Sequence, residues 1–126
     1  MVDAPMIRPL RDEVFLLLEG RGAILETARE VTRVLRDAAL DGAVIGGVAV
    51  VLHGYWRTTS DVDVFVPGDL RPMGEALRKA GFRFNRPRRE FTRKAVPVYL
   101  VTKEQTRTTP REFIEVDGVQ TVCWRT

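Results

Sequence analysis

One cysteine and one histidine in 126 residues remove two kinds of chemistry at the outset. Cys123 has no partner for an internal disulfide, and with His53 as the sole histidine a zinc site built from cysteine and histidine cannot be assembled. Cys123 therefore reads as a small buried hydrophobe in a terminal strand. Long apolar runs are also missing. The longest, 14–18 and 43–52, fall short of the roughly 20 residues a membrane-spanning helix needs, and the second contains a glycine pair, so no membrane partner is expected. The N-terminus reaches Arg8 and Arg11 without the basic, then apolar, then small-residue order of a secretory leader, and a cytoplasmic location is the expectation. Strong net charge is lacking as well, with 20 Lys and Arg set against 17 Asp and Glu.

What is present is a 44% hydrophobic chain of a length that suits one compact domain, 1–126, around one core. Its charges are unevenly placed. Between Arg78 and Lys94 stand Arg78, Lys79, Arg83, Arg86, Arg88, Arg89, Arg93 and Lys94 against a single acid, Glu90. Such a cluster attracts phosphates over a Debye length of roughly 8 Å, although a solvated surface loop would look the same. Phe82, Phe84 and Phe91 interleave with it. That pattern occurs on single-strand-binding surfaces, yet alternating aromatics in strands are more often core.

Leu25, Ala28, Val31, Leu35 and Ala38 recur three or four apart and predict an amphipathic helix over 23–40, stopped by Asp41-Gly42. Residues 11–19 also look helical. Ala43 to Ile45 predicts a short buried strand ending at Gly46-Gly47; for 48–52 apolarity alone does not separate strand from helix. Residues 61–66 alternate Asp, Val, Asp, Val, Phe, Val, which as a strand puts Asp61, Asp63 and Phe65 on one face and three valines on the other. A helix over 70–80 ended by Gly81, a strand at 82–84, a basic loop, a strand over 96–101 and a terminal hairpin turning at Asp117-Gly118 complete the reading. Together they describe an α/β (α+β) fold, a small mixed β-sheet with helices packed on it.

Two carboxylates on one face of an otherwise apolar strand repel each other and lose solvent together. A divalent cation resolves the conflict, and Mg²⁺ is commonly held by one or two carboxylates plus substrate phosphates. Exposed strand ends also carry Asp-x-Asp for no such reason, so the setting matters. Gly46-Gly47 allows a close backbone approach to a phosphate, with a plain tight turn as the alternative. Arg57 would clamp a phosphate, and the hydroxyls of Thr58, Thr59 and Ser60 would orient the loop or a ligand.

The segments 45–54 and 57–66, Ile-Gly-Gly-Val-Ala-Val-Val-Leu-His-Gly and Arg-Thr-Thr-Ser-Asp-Val-Asp-Val-Phe-Val, resemble the signature of the DNA polymerase beta-like nucleotidyltransferase superfamily. Within it they look most like the minimal bacterial proteins related to AbiEii-type toxin nucleotidyltransferases, which implies a toxin–antitoxin setting. The resemblance implies that Gly46 and Gly47 begin a short helix over 48–53 facing an NTP, with Arg57, Thr59 and Ser60 beside it. It further implies that Asp61 and Asp63 hold two Mg²⁺ ions for transfer of a nucleoside monophosphate to an RNA or protein hydroxyl. A partner chain or a homo-oligomer would supply the acceptor surface. The third carboxylate usual in that family has no counterpart in 96–101, where Tyr99 stands in its place; Glu104, Glu115 or Asp117 would substitute only along a different path. The alternative is a catalytically degenerate binding module. His53 reads as a helix-ending residue packed on a loop, and Tyr55 and Trp56 as pocket-flanking or core-covering residues.

Overall fold

The computed structural model describes residues 22–54, 59–106 and 112–123. The helix expected over 11–19, together with Tyr55, Trp56, Arg57 and Thr58, lies outside the described residues. Among the described residues, four helices and seven strands follow in the order α1 (Ala23–Asp37), β1 (Ala43–Ile45), α2 (Gly46–Leu52), β2 (Val62–Val66), α3 (Leu70–Lys79), β3 (Arg83–Asn85), β4 (Glu90–Thr92), β5 (Val98–Thr102), α4 (Lys103–Thr106), β6 (Glu112–Val116) and β7 (Val119–Cys123). The strands form one mixed sheet in the order β3-β4-β5-β2-β1-β7-β6. β2 pairs parallel with β5 and antiparallel with β1, and β1 pairs parallel with β7.

The period-two pattern of β2 sorts its side chains as alternation requires. Val62, Val64 and Val66 join Val44, Val98 and Val119 in the main core, against Leu25, Val31 and Leu35 of α1 and Met73 and Leu77 of α3. Phe65 points the other way and packs with Ala43, Ile45 and Val122 in a second, smaller cluster. Asp63 shares that face, opposite Ile45.

α1 is tied to the far end of the sheet by polar contacts as well as by its stripe. Thr32 Oγ1 donates to the Ala28 carbonyl and accepts the Gln120 backbone N–H, and Arg29 Nε donates to the Asp117 carbonyl at 2.7 Å. The helix stops at Asp37, three residues before the expected end. Leu40 N–H bonds the Leu35 carbonyl and Ala39 N–H the Arg36 carbonyl, with Ala39 at φ 55. This is a Schellman cap whose following residue, Leu40, packs on the core, so the stop comes from a hydrophobic contact rather than from Asp41-Gly42.

α3 begins on Asp69, whose side chain accepts the Arg71 N–H, and ends on the same cap pattern with Gly81 and buried Phe82. The terminal hairpin turns through Asp117 at φ 52 and Gly118 at φ 81, the two positive angles of a type I′ turn. The strand expected at 82–84 is β3, but the basic loop expected after it shrinks to a turn at 86–89 and the chain returns as β4. The two strands form the β3–β4 hairpin, with Phe84 opposite Phe91, because Phe82 and Phe91 bury toward the core while the arginines remain outside.

Candidate functional site

β1 and β2 bring the glycine pair and the aspartates together. Ile45 pairs with Asp63, so Gly46, the next residue, starts α2 beside the Asp63 carboxylate. Gly46 has φ +73, and a Cβ added there would lie 2.5 Å from Asp63 Oδ2. Only glycine lets the carboxylate rest that close to the backbone at that angle. Asp61 precedes β2 by one residue, half-buried, on the same side as Asp63. Thr59 Oγ1 donates to the Asp61 carbonyl at 3.2 Å, which fixes the approach to the strand; Ser60 is exposed. Gly47 lies in the first turn of α2. Arg57 falls outside the described residues.

His53 follows α2 as its cap, and its Nε2 sits 3.2 Å from the Val122 carbonyl, to which the ring N–H donates. That contact ties the end of α2 to β7 and gives the ring a structural occupation.

Next to β2 on its other side, Tyr99 of β5 pairs in register with Asp63. It therefore occupies the neighbouring position on the same face. Its hydroxyl donates to Glu90 Oε1 at 2.9 Å. Glu90 belongs to β4, one step along from the Phe91–Val98 pair that joins β4 to β5, so Asp63, Tyr99 and Glu90 form a row across three strands. Glu90 is 7% exposed, the one buried charged side chain among the described residues. Its carboxylate, accepting the phenol proton, raises the Tyr99 pKa above the ordinary value near 10; burial and the charges of Glu90 and Asp61 push the same way, and Arg88 opposes them.

Glu90 had stood out in the sequence only as the lone acid of a basic run. The signal that would have found it is its alternation with Phe91, which implies a strand and hence a facing neighbour. Strand spacing decides what it can do. Two steps of about 4.8 Å separate β4 from β2, whereas Mg²⁺ binds oxygen at about 2.1 Å, and the Tyr99 ring lies between. Glu90 holds the phenol and does not complete a ligand set with Asp63. Glu104 is exposed on α4, Glu115 pairs with Arg36 at the opposite sheet edge, and Asp117 sits in the terminal turn. Among the described residues no group of three or more His, Cys, Asp or Glu stands ready for a metal. The donor set that remains, Asp61 and Asp63, fits a hard cation that takes most of its ligands from water and phosphate.

No family model and no curated protein matches the sequence. Among solved structures, an antigenic nucleotidyltransferase-like protein from Paracoccidioides brasiliensis superposes with a TM-score of 0.52, at 18% identity, over 88% of this chain and 61% of that one. A tRNA-processing enzyme in an apo form gives a TM-score of 0.49 at 21% identity, over 78% of this chain and 32% of its own. The chain thus spans less than two thirds of the length of either. With helices packed on a seven-stranded mixed sheet in this order, it has a nucleotidyltransferase-like fold.

Proposed function

We propose that the chain is a Mg²⁺-dependent nucleotidyltransferase that moves a nucleoside monophosphate from an NTP to a hydroxyl of RNA or protein, of the minimal bacterial type its 45–66 segment resembles. The observation that carries this reading is the seat of the Asp63 carboxylate on Gly46. It places a hard oxygen ligand and a glycine turn at one point, where a cation and the phosphates it neutralises would both be held. Asp61 and Asp63 would be the metal ligands, with Gly46, Gly47, Arg57, Thr59 and Ser60 around the nucleotide. When bound, Mg²⁺ would neutralise phosphate charge and lower the pKa of the attacking hydroxyl. With two protein carboxylates, a pair of ions would depend on substrate oxygens for much of their coordination. In the transfer, the acceptor oxygen bonds to the α-phosphorus, the α–β anhydride bond breaks, pyrophosphate leaves and the hydroxyl proton passes to solvent.

One observation favours a second reading, a module that binds Mg²⁺–NTP without transferring it. Tyr99 stands beside Asp63 with its proton committed to Glu90, and a phenol held neutral is a poor hard-metal ligand or base.

Calorimetric titration with ATP, GTP, CTP and UTP, in Mg²⁺ and then in EDTA, tests both. The expected result is Mg²⁺-dependent binding that Asp61→Ala/Asp63→Ala abolishes. Release of pyrophosphate when an acceptor is added selects the enzyme; binding without release selects the module. No binding of any NTP by the wild type would sink both.

A further inference from the structure

In backbone pairing the β3–β4 hairpin joins the rest of the sheet at one position, Phe91 with Val98, beside the Tyr99–Glu90 side-chain bond. β4 begins at Glu90, so Leu100, Val101 and Thr102 of β5 run past it without a strand partner on that side. A groove of about 890 Å³ opens there, between the hairpin, β5 and the start of α3. Its volume is within the range of about 300–1,000 Å³ that takes a sizeable ligand.

The lining is of one sign. Arg71, Arg86 and Arg89 border the groove and, among the described residues, no carboxylate does. None of the three forms an ion pair among the described residues, whereas Arg33, Arg36 and Arg93 each do. Arg86 and Arg89 are held by an ordered turn, in which Asn85 Oδ1 accepts the Arg88 N–H and the Arg86 carbonyl accepts the Arg89 N–H. The floor is aromatic. Phe84 and Phe91 stack tilted at 44° with centroids 4.8 Å apart, and Phe84 remains 37% exposed. The Arg78 guanidinium lies 5.8 Å over the Phe84 ring.

We infer that this groove binds single-stranded nucleic acid, its phosphates on Arg71, Arg86 and Arg89 and a base stacked against Phe84. Unpaired guanidiniums around an exposed ring satisfy both halves of such a ligand, the charged backbone and the apolar base face. A polyanion without bases would use the charges and leave the ring idle; an apolar peptide would leave the charges idle. Phe91, Leu100 and α3 bound the groove on the main-core face of the sheet, the face opposite Asp63, and Tyr99 borders it from the unpaired edge of β5. This site does not rest on the transferase reading; the groove takes its ligand whether or not the aspartates hold a nucleotide.

The test is fluorescence anisotropy of a labelled single-stranded RNA of about twelve nucleotides, over a series of salt concentrations. Three phosphate contacts predict a slope of log K on log salt of about −2, at about −0.7 per contact for single strands. Arg86→Gln/Arg89→Gln should bring the slope toward −0.7 and weaken binding, while Arg33→Gln/Arg36→Gln on α1 leaves both unchanged. Phe84→Ala should weaken binding roughly tenfold at an unchanged slope, with circular dichroism reporting that the hairpin variant is folded. Asp61→Ala/Asp63→Ala should retain RNA binding even where it abolishes NTP binding, which separates failure of the groove from failure of the nucleotide site. Equal weakening by the α1 pair, equal affinity for the duplex, insensitivity to Phe84→Ala, or displacement of the RNA by polyglutamate as readily as by RNA would each overturn the assignment.

Discussion

At the scale of single residues, Gly46 and Asp63 make the closest glycine approach among the described residues. An alanine at 46 meets Asp63 Oδ2 at 2.5 Å and a backbone angle, φ +73, that L residues avoid. The left-handed conformation alone costs roughly 1–2 kcal/mol, and the displaced carboxylate adds to it. Gly46→Ala should therefore lower stability by about 2 kcal/mol in urea denaturation and weaken Mg²⁺–NTP binding together with it; a variant as stable as the wild type would show that Asp63 has room to move. Tyr99 supplies a second residue-scale expectation. Its pKa is raised, chiefly by the hydrogen bond to Glu90, so the folded state favours the protonated phenol. The stability this contributes is complete below the unfolded value near 10 and is lost as pH rises through the higher folded value. Absorbance titration of tyrosinate should show a component above the ordinary range that Tyr99→Phe removes. The same substitution removes the hydroxyl donor from the buried Glu90 side chain and should lower stability. Unchanged stability in Tyr99→Phe would mean that water replaces the phenol.

At the scale of elements, most of what the sequence made legible came from periodicity. The stripe Leu25, Ala28, Val31, Leu35 and the alternation of 61–66 both survive in the structure, because each follows from a burial requirement repeated over several residues. Boundaries were less legible. Ala39 closes α1 in a left-handed conformation that composition does not announce, and Leu40 decides the stop through a contact with residues distant in sequence. This yields an unusual expectation. Replacing Ala39 with glycine removes about 1–2 kcal/mol of conformational strain and loses about 0.4–1 kcal/mol through a freer unfolded chain. Ala39→Gly should thus stabilise the protein slightly, raising the urea midpoint, whereas a lower midpoint would show that the alanine methyl packs. The β4 half of the β3–β4 hairpin was hidden for a different reason. The hairpin's strands are three residues long and the turn between them, 86–89, holds three arginines, so a solvated loop and an edge hairpin share one composition, and the pairing of Phe84 with Phe91 is what separates them.

On the scale of the whole molecule, the candidate site was legible in its types and not in its neighbours. Asp61 and Asp63 lie on a shared face because they are two apart on a strand; that Gly46 touches Asp63 depends on β1 and β2 pairing antiparallel, a choice made by the sheet as a whole. Glu90 reaches Tyr99 through a third strand still further along the chain. Acidic and basic groups are thereby segregated, with Asp63 and the Tyr99–Glu90 pair in one row across the sheet and Arg71, Arg86 and Arg89 around the groove between α3, the hairpin and β5.

The placement of β1 between β2 and β7 carries a consequence for biosynthesis. Thr121 Oγ1 donates to the Val44 carbonyl across 77 residues of chain, and Val44 pairs with Thr121 in the parallel ladder. As a ribosome extends the chain, β1 can meet β2 early, within about twenty residues, but its other flank stays bare until β7 emerges. Pairings so distant in sequence form slowly, and an uncovered strand edge invites pairing with another chain. The strand that positions Gly46 therefore reaches its final partners only after β7 has emerged, and nascent chains that stop short of Thr121 should be the ones that need a chaperone.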